Sequence, residues 1–255
     1  MSNLLNDIEK YWTNRADGYS SVNKGELATV QKDKWLDEIE KNLNELSNKP
    51  KENIKVLDIG CGPGFFSIIL ARAGYKVTAV DYTSKMIEKA KENCGDIADK
   101  ITFIKMDAQN LKFDDESFDV VISRNLTWNL EKPDMAYKEW IRVLKKNGIL
   151  LNFDANWYHH LFDDEKRKEY EEDRNRVANS NLEDHYTCTD IESMEEIAKK
   201  VPLSRIIRPQ WDILTLNKLG VTSVNVDLDI WKSLWSEEEK ANYASTPMFL
   251  VKTIK

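Results

Sequence analysis

Between residues 54 and 155 the hydrophobic period switches repeatedly, and no other feature limits the fold as tightly. IKVLDI (54–59), KVTAVD (76–81), ITFIKMD (101–107), FDVVIS (118–123) and GILLNFDA (148–155) are short apolar runs. FFSIILARAG (65–74), SKMIEKAKENC (84–94) and PDMAYKEWIRVLKK (133–146) separate them with helical spacing, and only the third and fourth runs are joined by a loop. Strands alternating with helices of about ten residues form βαβ units and a mainly parallel sheet. KVTAV and DVVIS are almost wholly apolar, as strands are when helices cover both faces. Ser84 is the expected N-cap of its helix, Pro133 lies in a first turn, and Asn147–Gly148 is expected to end the third helix. Ligand sites in such sheets lie outside the carboxyl ends of the strands.

The flanks read differently. LLNDIEKYW and LATVQKDKWLDEIEKNLNEL carry apolar residues at helical spacing, with Leu27, Val30, Lys34, Trp35, Ile39, Leu43 and Leu46 near one stripe. After the fifth strand come charged helical stretches to about residue 208. WDILTLNKLG, VTSVNVDL and TPMFLVKTI then read as helix, strand, strand. The expected divisions are 1–50 as an N-terminal helical lid, 51–155 as a cofactor-binding core, 156–208 as a helical insertion, and 209–255 as completion of the sheet.

Charge and cysteine usage exclude several classes. Lys and Arg number 37 against 44 Asp and Glu, a net charge of −7, whereas phosphate-backbone binding needs a basic field. KRK at 166–168 runs straight into EYEED, so no basic patch forms there. No nucleic-acid partner is expected. Cys61, Cys94 and Cys188 are an odd count without a CxxC pair, which fits a reducing compartment and gives neither a disulfide framework nor a metal site. MSNLLNDIEKYW has acids where a signal peptide needs bases, and no apolar run reaches membrane-spanning length. A cytoplasmic protein without a membrane partner is expected.

VLDIGCGPG (56–64) poses the functional question. Its glycines are spaced G-x-G-x-G at Gly60, Gly62 and Gly64, and Phe65 stands where a dinucleotide loop wants a small residue. Pro63 has no N–H to offer a phosphate. Asp58 at the mouth repels a pyrophosphate but attracts an ammonium, directly or through a water; bonding to the loop itself is the competing role. Asp81 ends the second strand about twenty residues on, where a carboxylate accepts ribose hydroxyls. Asp107 ends the third and can accept from an adenine amino group, with Ala108 supplying an amide and Met86 and Leu111 apolar walls. Together these acids suit S-adenosylmethionine better than a nicotinamide cofactor.

VLDIGCGPGFFSIILARAGYKVTAVDYTSKMIEKAKENC, followed by ITFIKMDAQNL and FDVVIS, closely resembles the class I S-adenosylmethionine-dependent methyltransferases, in the branch with quinone-biosynthesis and small-molecule methylases. The resemblance covers roughly residues 54–155. It implies a Rossmann-like α/β fold with a seven-stranded, mostly parallel sheet and helices on both faces. WDILTLNKLGVTSVNVD resembles the last helix and sixth strand, and TPMFLVKTI the antiparallel seventh. The implied cofactor contacts are Asp58, Gly60, Gly62, Gly64, Asp81 and Asp107, with Cys61, Tyr82, Met86, Ala108 and Arg124 beside them. YWTNRADGYSS (11–21) resembles a segment that folds over the cofactor, so Tyr11, Arg15 and Tyr19 are candidate contacts. LKKNG at 144–148 departs from the usual LKPGG, but Asn147 tolerates a left-handed conformation.

Methyl transfer is an in-line displacement, so the protein mainly aligns the acceptor and excludes water. The acceptor region is expected beyond strands four and five. SRNLTWNL offers Asn125 as a candidate catalytic group and Trp128 as an acceptor contact, and Arg124 can clamp a carboxylate or pair with a sheet-edge acid. FDANWYHH offers Trp157 and Tyr158 as acceptor contacts and His159 or His160 as a base near neutral pH, with simple solvation as the alternative for either. Arg208 and Trp211 complete the candidates. The N/D-P-P-Y/F motif of nucleic-acid amino-methylases is absent. The rival readings are a nicotinamide-dependent oxidoreductase and a module that binds S-adenosylmethionine without turnover.

Overall fold

A computed structural model describes residues 3–186 and 189–255, so Cys188 lies outside the described residues. The chain opens with α1 (Asn3–Ala28) and α2 (Gln31–Asn42) and enters the sheet at β1 (Lys55–Ile59). There follow α3 (Phe65–Arg72), β2 (Lys76–Asp81), α4 (Ser84–Cys94), β3 (Ile101–Lys105), β4 (Phe118–Arg124), α5 (Pro133–Val143) and β5 (Leu144–Asp154). Next come α6 (Asp164–Ala178), α7 (Ile191–Ala198), α8 (Gln210–Lys218), β6 (Val224–Asp227), α9 (Trp231–Leu234), α10 (Glu237–Tyr243) and β7 (Phe249–Ile254).

The seven strands lie in the order β3-β2-β1-β4-β5-β7-β6, and β7 runs antiparallel to both of its neighbours. The order reverses between β1 and β4, and at that reversal the connecting chains leave in opposite directions and open a crevice. One apolar layer packs α2 and α3 on the sheet; Trp35, 1% exposed, meets the edges of Phe65, Phe66 and Phe153 at 5.1–6.3 Å. Each such pair adds about 0.5–1.5 kcal/mol beyond its buried area. The opposite layer gathers Tyr137 and Trp140 of α5 with Leu216 of α8. Helices thus cover both faces, as the apolar strands required.

Three local expectations are corrected. The helix expected to run to Asn147 ends at Val143, and β5 begins at Leu144. The strand pairs at Phe118↔Leu144, bulges, and resumes at Val120↔Ile149. Asn147 turns at φ 62°, donating to the Lys255 carbonyl at 2.9 Å, so the residue following β7 captures this segment for the sheet. The N-cap of α4 is Thr83 rather than Ser84. Between β6 and β7 the chain forms α9 and α10, which the strand-by-strand reading passed over. The signal for α10 was present: Ser236 and Glu239 make a reciprocal capping box.

Residues 156–208 hold α6, α7 and short 3-10 turns at His159–Leu161 and Pro202–Arg205. Met194, Ile197 and Val201 pack with Tyr11 of α1 and Trp128 beyond β4. No helix among the described residues is long and apolar enough to cross a membrane.

Candidate active site

The glycine loop is held by β2. Gly60 and Cys61 donate their amides to the Val80 carbonyl at 2.8 and 3.0 Å, and Gly62 donates to Asp81 Oδ2 at 2.9 Å. Asp81 Oδ1 accepts the Thr83 amide at 2.8 Å. Burial raises the Asp81 pKa, opposed by those amide donors. Gly60 and Gly62 adopt φ of 67° and 52°, which exposes the loop backbone to the crevice. Gly64 lies behind it as the residue preceding α3, where an added Cβ would come 3.0 Å from the Ala90 Cβ, so its smallness serves helix packing.

A cleft of about 810 Å³, counting its open mouth, lies at the strand ends. Gly60, Gly62, Asp81, Tyr82, Met86, Asp107, Ala108, Arg124, Asn125 and Tyr19 line it, and Asp107 Oδ1 accepts from the Gln109 amide at 2.9 Å. Leu111 is buried in the core behind it. A smaller adjoining recess holds Asp58 and Cys61. Asp58, 2% exposed, accepts from Ser67 Oγ at 2.5 Å, and burial pushes its pKa up to about 7 despite that bond. Asp58 is thus tied to Ser67 of α3, while the loop amides go to Val80, Asp81 and Cys61, so the competing role of bonding the loop itself is not the one it takes. Burial also raises the Cys61 thiol.

Arg124 is the one cation lining the cleft among the described residues, and it is already committed. Its Nη1 and Nη2 lie 2.8 and 2.9 Å from the two oxygens of Glu26 on α1, and its guanidinium sits 4.7 Å from the Phe65 ring centre. Burial works against its charge, but Glu26 outweighs it and the pKa is raised. The pairing alternative for Arg124 holds, although the acid comes from α1 and not from the sheet edge.

Several candidates fall elsewhere. α1 is one continuous helix, so its phase sends Leu5, Ile8, Trp12 and Tyr19 to the cleft. Tyr11 instead joins the apolar cluster with α7, and Arg15 does not line the cleft. Trp128 is buried against Tyr158 at 5.2 Å, with its amide on Asp154 Oδ2 at 3.0 Å. Tyr158 itself is partly buried, with φ 63° and a phenol pushed well up by desolvation. Trp157 reaches Asn125 Oδ1 at 3.3 Å and packs edge-on against Tyr243 at 5.4 Å.

Neither histidine reaches the cleft. His159 Nδ1 sits 3.0 Å from the Ser204 carbonyl, and His160 stacks on Tyr170 at 4.1 Å. Burial lowers the His160 pKa to about 4, leaving it neutral. Arg208 is fully buried, paired with Asp154 at 2.5 Å and Asp212 at 2.6 Å, and Trp211 stacks on Tyr137 at 5.5 Å behind the sheet. Sequence reasoning missed Trp12, Thr83, Leu126 and Asn129, all in the cleft. Trp12 was findable by carrying the helical period 5-8-12-19 through α1; the others follow from loop geometry alone.

With the site described, the chain can be set beside known proteins. The family described as a methyltransferase domain matches residues 57–152. That stretch is similar to a methyltransferase domain. Around it, the ubiquinone biosynthesis O-methyltransferase of Pelagibacter ubique is 38% identical over 105 residues, covering 41% of this chain and 43% of that protein. The chain therefore spans less than half the length of this curated relative. A Methanococcus maripaludis protein, provisionally described as an S-adenosyl-L-methionine-dependent methyltransferase, shares the fold at TM-score 0.60 and 19% identity, over 95% of this chain and 93% of that one. The phosphoethanolamine N-methyltransferase 2 of Haemonchus contortus, solved with S-adenosyl-L-methionine, aligns at TM-score 0.56 and 18% identity, over 85% of this chain and 52% of that one. The matched stretch begins at Leu57, one residue before Asp58, and ends within β5, so it contains the whole glycine loop with Asp81 and Asp107.

Proposed function

We propose that this protein transfers the methyl group of S-adenosylmethionine to a small-molecule acceptor in the cytoplasm. The carrying observation is that Asp81 at the end of β2 and Asp107 two residues past neighbouring β3 line one cleft with the glycine turn, while its one cation among the described residues is neutralised by Glu26. A diphosphate would meet two carboxylates and no uncommitted positive charge; a cationic, phosphate-free adenosine derivative meets attraction.

The residues fit that molecule. A carboxylate offers about four lone-pair sites, and Asp81 uses three on the Gly62 amide, the Thr83 amide and the Thr83 side chain, so one remains for a ribose hydroxyl. Asp107 and the Ala108 amide suit an adenine edge, and Met86 and Leu130 supply apolar walls. Asp58 in the adjoining recess suits the ammonium, and Tyr19 spans both spaces. When bound, S-adenosylmethionine supplies a methyl group already activated by its sulfonium. The chain's own work is alignment and exclusion of water. α1 closes one side of the cleft through Ile8 and Trp12, and residues 156–208, none of which lines the cleft among the described residues, pack on α1 from behind.

Calorimetric titration with S-adenosylhomocysteine and with NAD tests the assignment, followed by labelled-methyl transfer into a metabolite extract. Binding of the thioether and not of NAD is expected, and tighter binding of NAD overturns the reading. Thioether binding with no labelled product from any extract would leave a module without turnover. Asp81→Ala is expected to weaken thioether binding at least tenfold, about 1.4 kcal/mol; an unchanged dissociation constant removes Asp81 from the site.

Asp58 makes the binding pH-dependent. Its folded pKa of about 7 lies above the 3.8 of a solvated aspartate, so the free protein holds the proton more tightly than the unfolded chain. Its contribution to stability is present at low pH and is lost as pH rises from about 4 through about 7. An ammonium ligand favours the ionised form, so affinity should fall up to tenfold per pH unit below about 7 and level off above it. Titrations from pH 5.5 to 8.5 check this, and Asp58→Asn should flatten the profile.

A further inference from the structure

Two side-chain amides on the loop after β4 line the cleft, and neither takes part in the cofactor contacts assigned above. Resting on the methyl-transfer reading, the geometry points to an acceptor gripped by an uncharged oxygen, carbonyl or hydroxyl, between the amide nitrogens of Asn125 and Asn129.

An indole N–H donates and cannot accept. Trp12 Nε1 lies 2.8 Å from Asn129 Oδ1, and Trp157 Nε1 lies 3.3 Å from Asn125 Oδ1. Each indole therefore fixes which end of its amide is oxygen and turns the NH2 group away from itself. Asn129 is 4% exposed, yet its Nδ2 meets no protein acceptor. Buried donors are normally satisfied, so one left open beside a cleft marks a place for an incoming acceptor atom. No protein acceptor for Asn125 Nδ2 occurs among the described residues either. Asn125 is held rigidly: its amide donates to the Phe153 carbonyl at 2.8 Å, its carbonyl accepts from Trp128 Nε1 at 3.0 Å, and its φ is 55°.

Charge selects among oxygen-bearing molecules. Asp81, Asp107 and Glu131 line the cleft, and Arg124 is taken by Glu26. A carboxylate or phosphate would enter a negative field without a cation to meet it. An ammonium has nothing to give an NH2 group. An uncharged oxygen accepts from both amides at no electrostatic cost, and the Trp12 ring with Leu126 and Leu130 suits a flat apolar body.

The test uses protein saturated with S-adenosylhomocysteine and 15N-labelled at the tryptophan indoles, with Trp12 and Trp157 assigned by phenylalanine variants. Acetophenone and phenol are titrated against benzoate and benzylammonium. Acetophenone or phenol is expected to shift both indole signals saturably, with benzoate and benzylammonium at least tenfold weaker. Asn129→Ala should weaken the uncharged probes at least tenfold while S-adenosylhomocysteine binding changes less than twofold. Asn129→Asp, which replaces a donor by an acceptor, should move the preference to benzylammonium. Equal binding of benzoate, an unmoved preference in the Asp variant, or no shift with any probe overturns this inference alone. Failure of S-adenosylhomocysteine to bind at all overturns the methyl-transfer reading beneath it.

Discussion

Arg208→Met is expected to destabilise the protein by about 3–5 kcal/mol, the cost of leaving a buried charge without its partner. The Arg208 guanidinium, Asp154 and Asp212 all have side chains at 0% exposure. Nη1 reaches Asp154 Oδ2 at 2.5 Å, while Nε and Nη2 reach the two oxygens of Asp212 at 2.9 and 2.6 Å. The Tyr137 hydroxyl donates to Asp212 and accepts from Asn152 Nδ2, so α5, β5 and α8 all tie into this one cation. Burial raises the Asp154 pKa, and Arg208 is what opposes that rise. Without it, one carboxyl must protonate or the segment must open to water. For a chain of this size about 2–4 °C is lost per kcal/mol, so the melting temperature should fall by roughly 6–20 °C. Chemical denaturation of Arg208→Met measures it. Adding Asp154→Asn and Asp212→Asn should recover much of the loss, because neutral amides carry no uncompensated charge. A melting temperature within two or three degrees (about 1 kcal/mol) of the parent would show that the triad is dispensable.

Gly60→Ala is expected to abolish cofactor binding, with S-adenosylhomocysteine affinity down about a hundredfold or more, near 2.7 kcal/mol. Two causes combine. At φ +67° an alanine occupies the left-handed region at about 1–2 kcal/mol. Its Cβ would also come 2.8, 2.9 and 3.1 Å from Leu126 Cδ2, Cδ1 and Cγ, which real side chains do not tolerate. Leu126 lines the cleft, so relieving the clash moves it within the binding space. Gly62→Ala should be milder, since its Cβ would meet only Tyr19 at 3.5 Å, an ordinary contact, leaving the φ penalty. Gly25→Ala serves as the control: nothing lies within 4 Å, and a helical alanine should add up to ~1 kcal/mol of stability. Unchanged titration of Gly60→Ala would remove the loop from the site.

Much of the core was legible because its signals are local. A strand's apolar run, a glycine triplet and an acid at a strand end are written within ten residues of one another, and backbone sterics fix what they do. Asp81 and Asp107 could be placed at one rim before any coordinates, because parallel strands bring their carboxyl ends to the same edge. Arg124 was ambiguous for the opposite reason. Its partner Glu26 lies 98 positions away, and nothing near either residue announces the pair.

The acceptor side misled wherever a residue was judged by its chemistry instead of its surroundings. Histidines, tryptophans and an arginine after β4 and β5 resemble a catalytic cluster on paper. In the fold, His160 lies against Tyr170, Trp128 against Tyr158, and Arg208 between two aspartates. Conversely Asn129 and Trp12, unremarked in the chain, bond to one another across 117 positions at the cleft wall.

By itself the sequence determined the parallel sheet, the glycine turn, and the acids at its rim, since these follow from short-range periodicity and backbone geometry. Only the tertiary structure decided which polar side chains face the cleft and which are consumed in packing. That choice depends on helix phase and on partners distant along the chain. A side chain's chemistry says what it can bind, but the neighbours that reach it first decide what it does.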